Sequence, residues 1–194
     1  LEYFAAADFA ISEKEKADYT AIVVGGMSPE GVLHIVDAKR IKGDSDLIIE
    51  ELIATQKLWK PHIFTFETEK IDKALGPFLD REMRRTGTYL NIDKVTPTKS
   101  KTTRAKSIQA MHKSGSIRYD RLASWYPDFY NEMMTITQSG PRGKHDDFFD
   151  AFAYVGLAID KYFEALSPQE LEDEEYDLAF EEFANTGRNG TTGY

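Results

Sequence analysis

Hydrophobic and polar positions along the chain first follow a strand period and then a helical one. The apolar run Tyr3-Phe4-Ala5-Ala6-Ala7-Asp8-Phe9 predicts a first strand over residues 2–10. A polar loop over 11–18 leads to a β-branched second strand over 19–27. The tight turn Ser28-Pro29-Glu30-Gly31 then returns the chain as a third strand over 32–41, so the three strands form an antiparallel meander. Leu47, Ile48, Leu52, Ile53, Leu58 and Trp59 next fall at helical spacing behind a cap at Asp44 or Ser45, and Pro61 stops that helix. A short buried strand follows over 62–67, a helix over 72–85 ended by Gly87, and a fifth strand over 89–95 closed by Pro97. A basic helix over 101–112, a helix from Ser124 or Pro127 to about Ile136, a Gly/Pro loop over 139–144 and a long apolar helix over 146–163 complete the folded part.

The order β-β-β-α-β-α-β followed by helices predicts an α/β fold. Three antiparallel strands and two further strands joined by crossovers make a mixed five-stranded sheet with helices on both faces. The folded domain is expected over 1–163 and an acidic, partly disordered tail over 164–194. If the fourth strand lies beside the first, Asp8 and Glu67 project from neighbouring strand ends, and Asp147 needs only a helix laid across the same end of the sheet.

Asp8, Glu67 and Asp147 are the candidate catalytic residues. Each ends or opens an apolar element, and a carboxylate there is costly unless a cation neutralises it. With few Lys or Arg in these segments, a divalent metal is the economical counter-charge. Each acid also has a plainer explanation: a strand-end cap, an ion pair with Lys70, or stabilisation of a helix N-terminus. Asp146 and Asp147 cannot both be needed for capping, and Asp150 lies one turn further on.

Composition narrows the metal. The chain has no cysteine, and its four histidines include no pair at ligand spacing, so the donors must be oxygen, which suits magnesium, manganese or calcium. No apolar run is long enough to cross a membrane, and a soluble protein is expected. The chain opens without Met, almost directly in a strand, as a piece of a longer polypeptide would. The net charge of −9 is unevenly spread: residues 162–194 carry −8, whereas 81–121 carry +8. A basic segment in a near-neutral body is compatible with a nucleic-acid-binding face.

The segments Asp8-Phe9-Ala10, Asp18-Tyr19-Thr20-Ala21-Ile22, Phe66-Glu67, Lys99-Ser100-Lys101-Thr102-Thr103-Arg104-Ala105 and His145-Asp146-Asp147-Phe148-Phe149-Asp150-Ala151 occur in an order that resembles the nuclease domain of the large terminase subunits of tailed bacteriophages. That resemblance covers 1–163 and implies an RNase H-like (resolvase/integrase) fold and an endonuclease that cleaves double-stranded DNA during viral genome packaging. It implies metal binding by Asp8, Glu67 and Asp147, with Asp146 as companion, and phosphate contacts from Lys99, Lys101 and Arg104. Lys106 and Lys144 join the expected DNA-binding set, while His145 and Asp150 are accessory candidates. Two Mg²⁺ or Mn²⁺ ions are expected, Asp8 bridging them, Asp147 on one and Glu67 on the other. The implied partners are an ATPase domain preceding this chain (no G-x-x-x-x-G-K-[ST] loop exists here), a portal and a small terminase subunit, in the host cell cytoplasm. A Holliday-junction resolvase or transposase of the same superfamily would use a similar acid cluster. A non-catalytic DNA clamp would use the acids only as caps and ion pairs.

Overall fold

The structure, a computed structural model, describes residues 1–9, 19–68, 75–96, 101–137, 140–143 and 145–164. Contacts divide the chain into two compact units, Leu1–Ile159 and Asp160–Tyr194. The first holds the sheet and its helices; of the second, only Asp160–Glu164, the end of a helix, is described. All of the expected tail beyond Glu164 therefore lies outside the described residues.

Strands β1 (Glu2–Asp8), β2 (Thr20–Met27) and β3 (Leu33–Ile41) form the expected meander. Helix α1 (Ser45–Trp59) is capped by Asp44, whose side chain accepts from the Leu47 amide. Strand β4 (Ile63–Glu67) pairs in parallel with β1, and β5 (Ile92–Val95) pairs in parallel with β4. Between them lies α2 (Gly76–Thr86), ended by Gly87 in the left-handed conformation.

One strand corrects the sequence expectation. Ile117–Tyr119 forms β6, parallel to β3, so the sheet has six strands in the order β5-β4-β1-β2-β3-β6 rather than five. The three residues Ile117–Tyr119 are too few to show a hydrophobic period, and register with Leu33, His34 and Ile35 defines the strand instead.

The basic helix is divided at Ala105 into α3 (Lys101–Arg104) and α4 (Lys106–Lys113). Helix α5 (Tyr126–Met133) ends before a ribbon of β7 (Ile136–Thr137) and β8 (Gly140–Pro141). Part of the expected 139–144 loop is thus paired backbone. Helix α6 (Asp147–Glu164) follows. Among the described residues, no helix is long and apolar enough to cross a membrane.

Alternation along the strands assigns the two faces. Ala5, Ala7, Phe9, Ile22, Val24, Phe64 and Phe66 pack with Ile48, Leu52 and Ile53 of α1 and with Leu79 and Met83 of α2. The intervening residues Phe4, Ala6, Asp8, Val23 and Gly25 face the other way, toward α6. Helix α6 approaches closely at Gly25, where a Cβ would lie 2.8 Å from Leu33 Cδ1 and 3.1 Å from Val155 Cγ1.

Candidate active site

The end of the sheet where β1 and β4 finish is where the acids collect. Ala7 pairs with Phe66 in parallel register, and one step further brings Asp8 alongside Glu67. Asp8 also pairs with Ala21, and Ala21 with Arg40, so Glu67, Asp8 and Arg40 belong to one row across four strands. All three lie on the α6 face, because each is one residue from a side chain in the opposite core. Asp8 is buried there.

Helix α6 lays its own acids over this row. Asp147, Asp150 and Tyr154, at spacings of three and four, share a helical face and are all buried. Tyr154 Oη donates to Glu67 Oε2 at 3.3 Å, which ties the helix directly to the end of β4. Burial raises the pKa of the Tyr154 phenol despite the opposing influence of the Arg104 charge, and the Glu67, Asp8 and Asp150 carboxylates raise it further. The phenol therefore stays protonated and serves as a donor.

Basic residues occupy part of the same space. Lys101 Nζ lies 2.5 Å from Asp146 and 2.6 Å from Asp150. Arg104 Nη2 lies 3.3 Å from Asp150, and Arg104 Nη1 donates to Tyr154 Oη. Burial alone would lower the Lys101 pKa, but its hydrogen bonds to the two aspartates outweigh that and hold it above the usual lysine value. Asp150 is pushed upward by burial, against the pull of Lys101 and Arg104. Lys101 and Arg104, expected to meet DNA phosphates, thus make internal ion pairs. Lys106 is exposed, and Lys99 and Lys144 lie outside the described residues.

Asp147 is engaged elsewhere. Its Oδ2 lies 3.9 Å from Arg40 Nε and 3.7 Å from His145 Nδ1. Arg40 also pairs with Glu132 and packs its guanidinium 4.5 Å from the centre of the Phe148 ring. Glu132, buried at the end of α5, accepts the Phe149 amide at 2.8 Å and so satisfies one of the open N–H groups in the first turn of α6. Burial raises the Glu132 pKa, opposed by that amide and by Arg40.

Glu67 and Asp8 thus meet on adjacent strands, with Asp150 and Tyr154 on the helix face above them. Among the described residues, however, no three His, Asp or Glu side chains are spaced as a ready metal cage. In donor chemistry the acids fit a hard divalent cation, because all supply carboxylate oxygen. The pocket's demand for positive charge is visible in Lys101, which already stands between two of them. Sequence reasoning missed Arg40, Glu132 and Tyr154. Only Tyr154 left a trace, one helical turn beyond Asp150.

The family described as the terminase RNaseH-like domain matches residues 5–158. Among solved structures, the large terminase nuclease of thermophilic phage G20c with bound magnesium is 17% identical, with 80% of each chain covered and a TM-score of 0.56. The HK97 bacteriophage large terminase is 12% identical at a TM-score of 0.57, over 80% of this chain and 39% of that one. The yeast mitochondrial Holliday junction resolvase is 13% identical at a TM-score of 0.52, over 79% of this chain and 77% of that one. No curated protein sequence matches. With the family match spanning most of the chain and the mixed sheet it requires, the chain belongs to the RNase H-like domain family of terminases.

Proposed function

We propose that the chain is a metal-dependent endonuclease that cuts double-stranded DNA during packaging of a viral genome. In this reading it is the nuclease part of a large terminase subunit. It would work in the host cytoplasm beside an ATPase domain of the same polypeptide, with a portal and a small terminase subunit as partners. The observation that carries the reading is the convergence of Asp8 and Glu67 on parallel neighbouring strands beneath the acid-bearing face of α6.

Asp8 and Glu67 would hold Mg²⁺ or Mn²⁺ from the sheet. Asp150 and Asp147 would do so from the helix, and Asp146 through water. The bound metal supplies charge neutralisation at the scissile phosphate and lowers the pKa of a water molecule. The chain itself orients these oxygens. The buried α6 helix fixes the spacing of its acids, and Tyr154 restrains the Glu67 carboxylate. Glu132 and Arg40 anchor the first turn, which carries Asp147. Lys106 and the neighbouring cations of the basic segment would grip the DNA backbone without reading bases, which gives salt-sensitive affinity. His145, whose Nδ1 lies 3.7 Å from Asp147, would contact phosphate.

The test is plasmid nicking by the purified chain with Mn²⁺, Mg²⁺, Ca²⁺ or EDTA. Cleavage with Mn²⁺ or Mg²⁺, and none with EDTA, is expected. No metal-dependent cleavage and no metal-induced stabilisation would instead favour a DNA clamp. The likeness to a resolvase supports a second arm with four-way junctions. Preferential cutting of junctions over plasmid duplex would move the assignment to that activity.

A further inference from the structure

Helix α6 is lined with phenylalanine: Phe148, Phe149 and Phe152 are all buried. Tyr154 is 1% exposed, yet it carries a hydroxyl where a phenyl ring would pack as well. A buried hydroxyl costs free energy unless it is hydrogen-bonded. This one accepts from Arg104 and donates to Glu67, so it joins a cation from the basic segment to a strand-end carboxylate. Arg104 in turn reaches Asp150, which links the helix acid to the sheet acid through one guanidinium and one phenol.

We propose that Tyr154 is a positioning residue that holds the Glu67 carboxylate in the orientation needed to bind a divalent cation. The proposal rests on the nuclease reading of the site. Glutamate has three side-chain torsions, and its carboxylate end must be held before it can act as a metal donor of fixed direction. The buried phenol of Tyr154 has two, both locked by packing. The Arg104 charge strengthens the phenol as a donor. Outer contacts of this kind tune metal affinity without touching the ion.

The experiment is Tyr154→Phe in the full chain, which keeps the ring and removes only the oxygen. Calcium binding by titration calorimetry should weaken about tenfold, the lower end of what loss of an outer-sphere contact costs. The Mn²⁺ concentration for half-maximal nicking should rise by a similar factor, while nicking at saturating Mn²⁺ returns close to the parent rate. A merely structural role would lower the melting temperature and the active fraction without moving either metal constant. Unchanged calcium affinity in a variant of a parent that binds calcium and nicks DNA overturns the role of Tyr154 and leaves the nuclease reading standing. A parent that neither binds calcium nor nicks DNA overturns both.

Discussion

The two faces of the central sheet use alternate residues of the same strands and do different work. Under α1 and α2, Ala7 and Phe66 sit in a core built of aliphatic and aromatic side chains. Under α6, their immediate neighbours Asp8 and Glu67 face that helix, and Glu67 accepts from its Tyr154. Among the described residues, the buried charged ones, Asp8, Glu132, Asp147 and Asp150, belong to this second side. Because side chains alternate at a period of two, a single strand can contribute to stability on one face and to chemistry on the other. The apolar face gains free energy from every contact. The polar face must spend part of that gain on desolvating charge.

The sharpest way to break this comparison is Asp8→Asn. It removes one charge while keeping the shape, so nicking should fall by ~10³-fold, the scale on which losing one transition-state charge contact is felt. Melting should be unchanged or slightly raised, because a buried charge has been removed. A variant that still nicks at the parent rate would show that the acid row is structural. Arg40→Met should come next in size. It leaves Glu132 and Asp147 buried beside each other without their cation, which should cost about 3 kcal/mol in urea unfolding. Adding Glu132→Leu should recover part of that loss. Leu52→Ala on the opposite face should also cost about 3 kcal/mol, by opening a cavity at a fully buried site. Activity per folded molecule should be untouched there. A fall in that specific activity would mean that the faces are coupled.

A smaller effect should appear with pH. The folded-state pKa of Glu132 is raised above the usual glutamate value of 4.5, chiefly by burial. Its contribution to stability is therefore fully present below 4.5 and lost as pH rises through the folded value. Glu132→Gln should flatten the stability profile in the window just above 4.5. Paired urea titrations across that window would show it. An equally steep decline in the variant would assign the effect to Asp150, whose pKa is raised in the same direction.

The apolar face was legible in the sequence because it rests on periodicity. The meander, α1, β4 and the long α6 all follow from spacing within a few residues of their observed ends. Strand β6 was not, since three residues owe their conformation to pairing with β3 rather than to any pattern of their own. On the polar face, Asp8 and Glu67 were readable as strand-end acids, and the parallel pairing of β4 with β1 brings them together as the topology suggested. Which helix acid they meet was not readable. Rotamers and distant partners decide that: Arg40 draws on Asp147, and Tyr154 reaches Glu67 across the sequence. The basic segment was expected to contact phosphate; in the structure the half-exposed Lys101 and the more buried Arg104 pair with acids of α6 and its start.

That pairing sets the last and smallest test. Lys101 pairs with Asp146 and Asp150, so a metal held by those acids under the proposed function would compete with the lysine for the same oxygens. The Lys101 side chain is 40% exposed, and solvent screening limits what each contact is worth. Lys101→Met should therefore tighten calcium binding only about threefold. In calcium, DNA affinity should move the other way, since a lysine displaced by metal is released toward the phosphates and a methionine offers nothing to them. Opposite shifts in the two affinities would make Lys101 the element that couples metal entry to DNA grip. If both affinities fell together, Lys101 would be a fixed strut of the α6 face, and the polar side of the sheet would be as rigidly built as the apolar one.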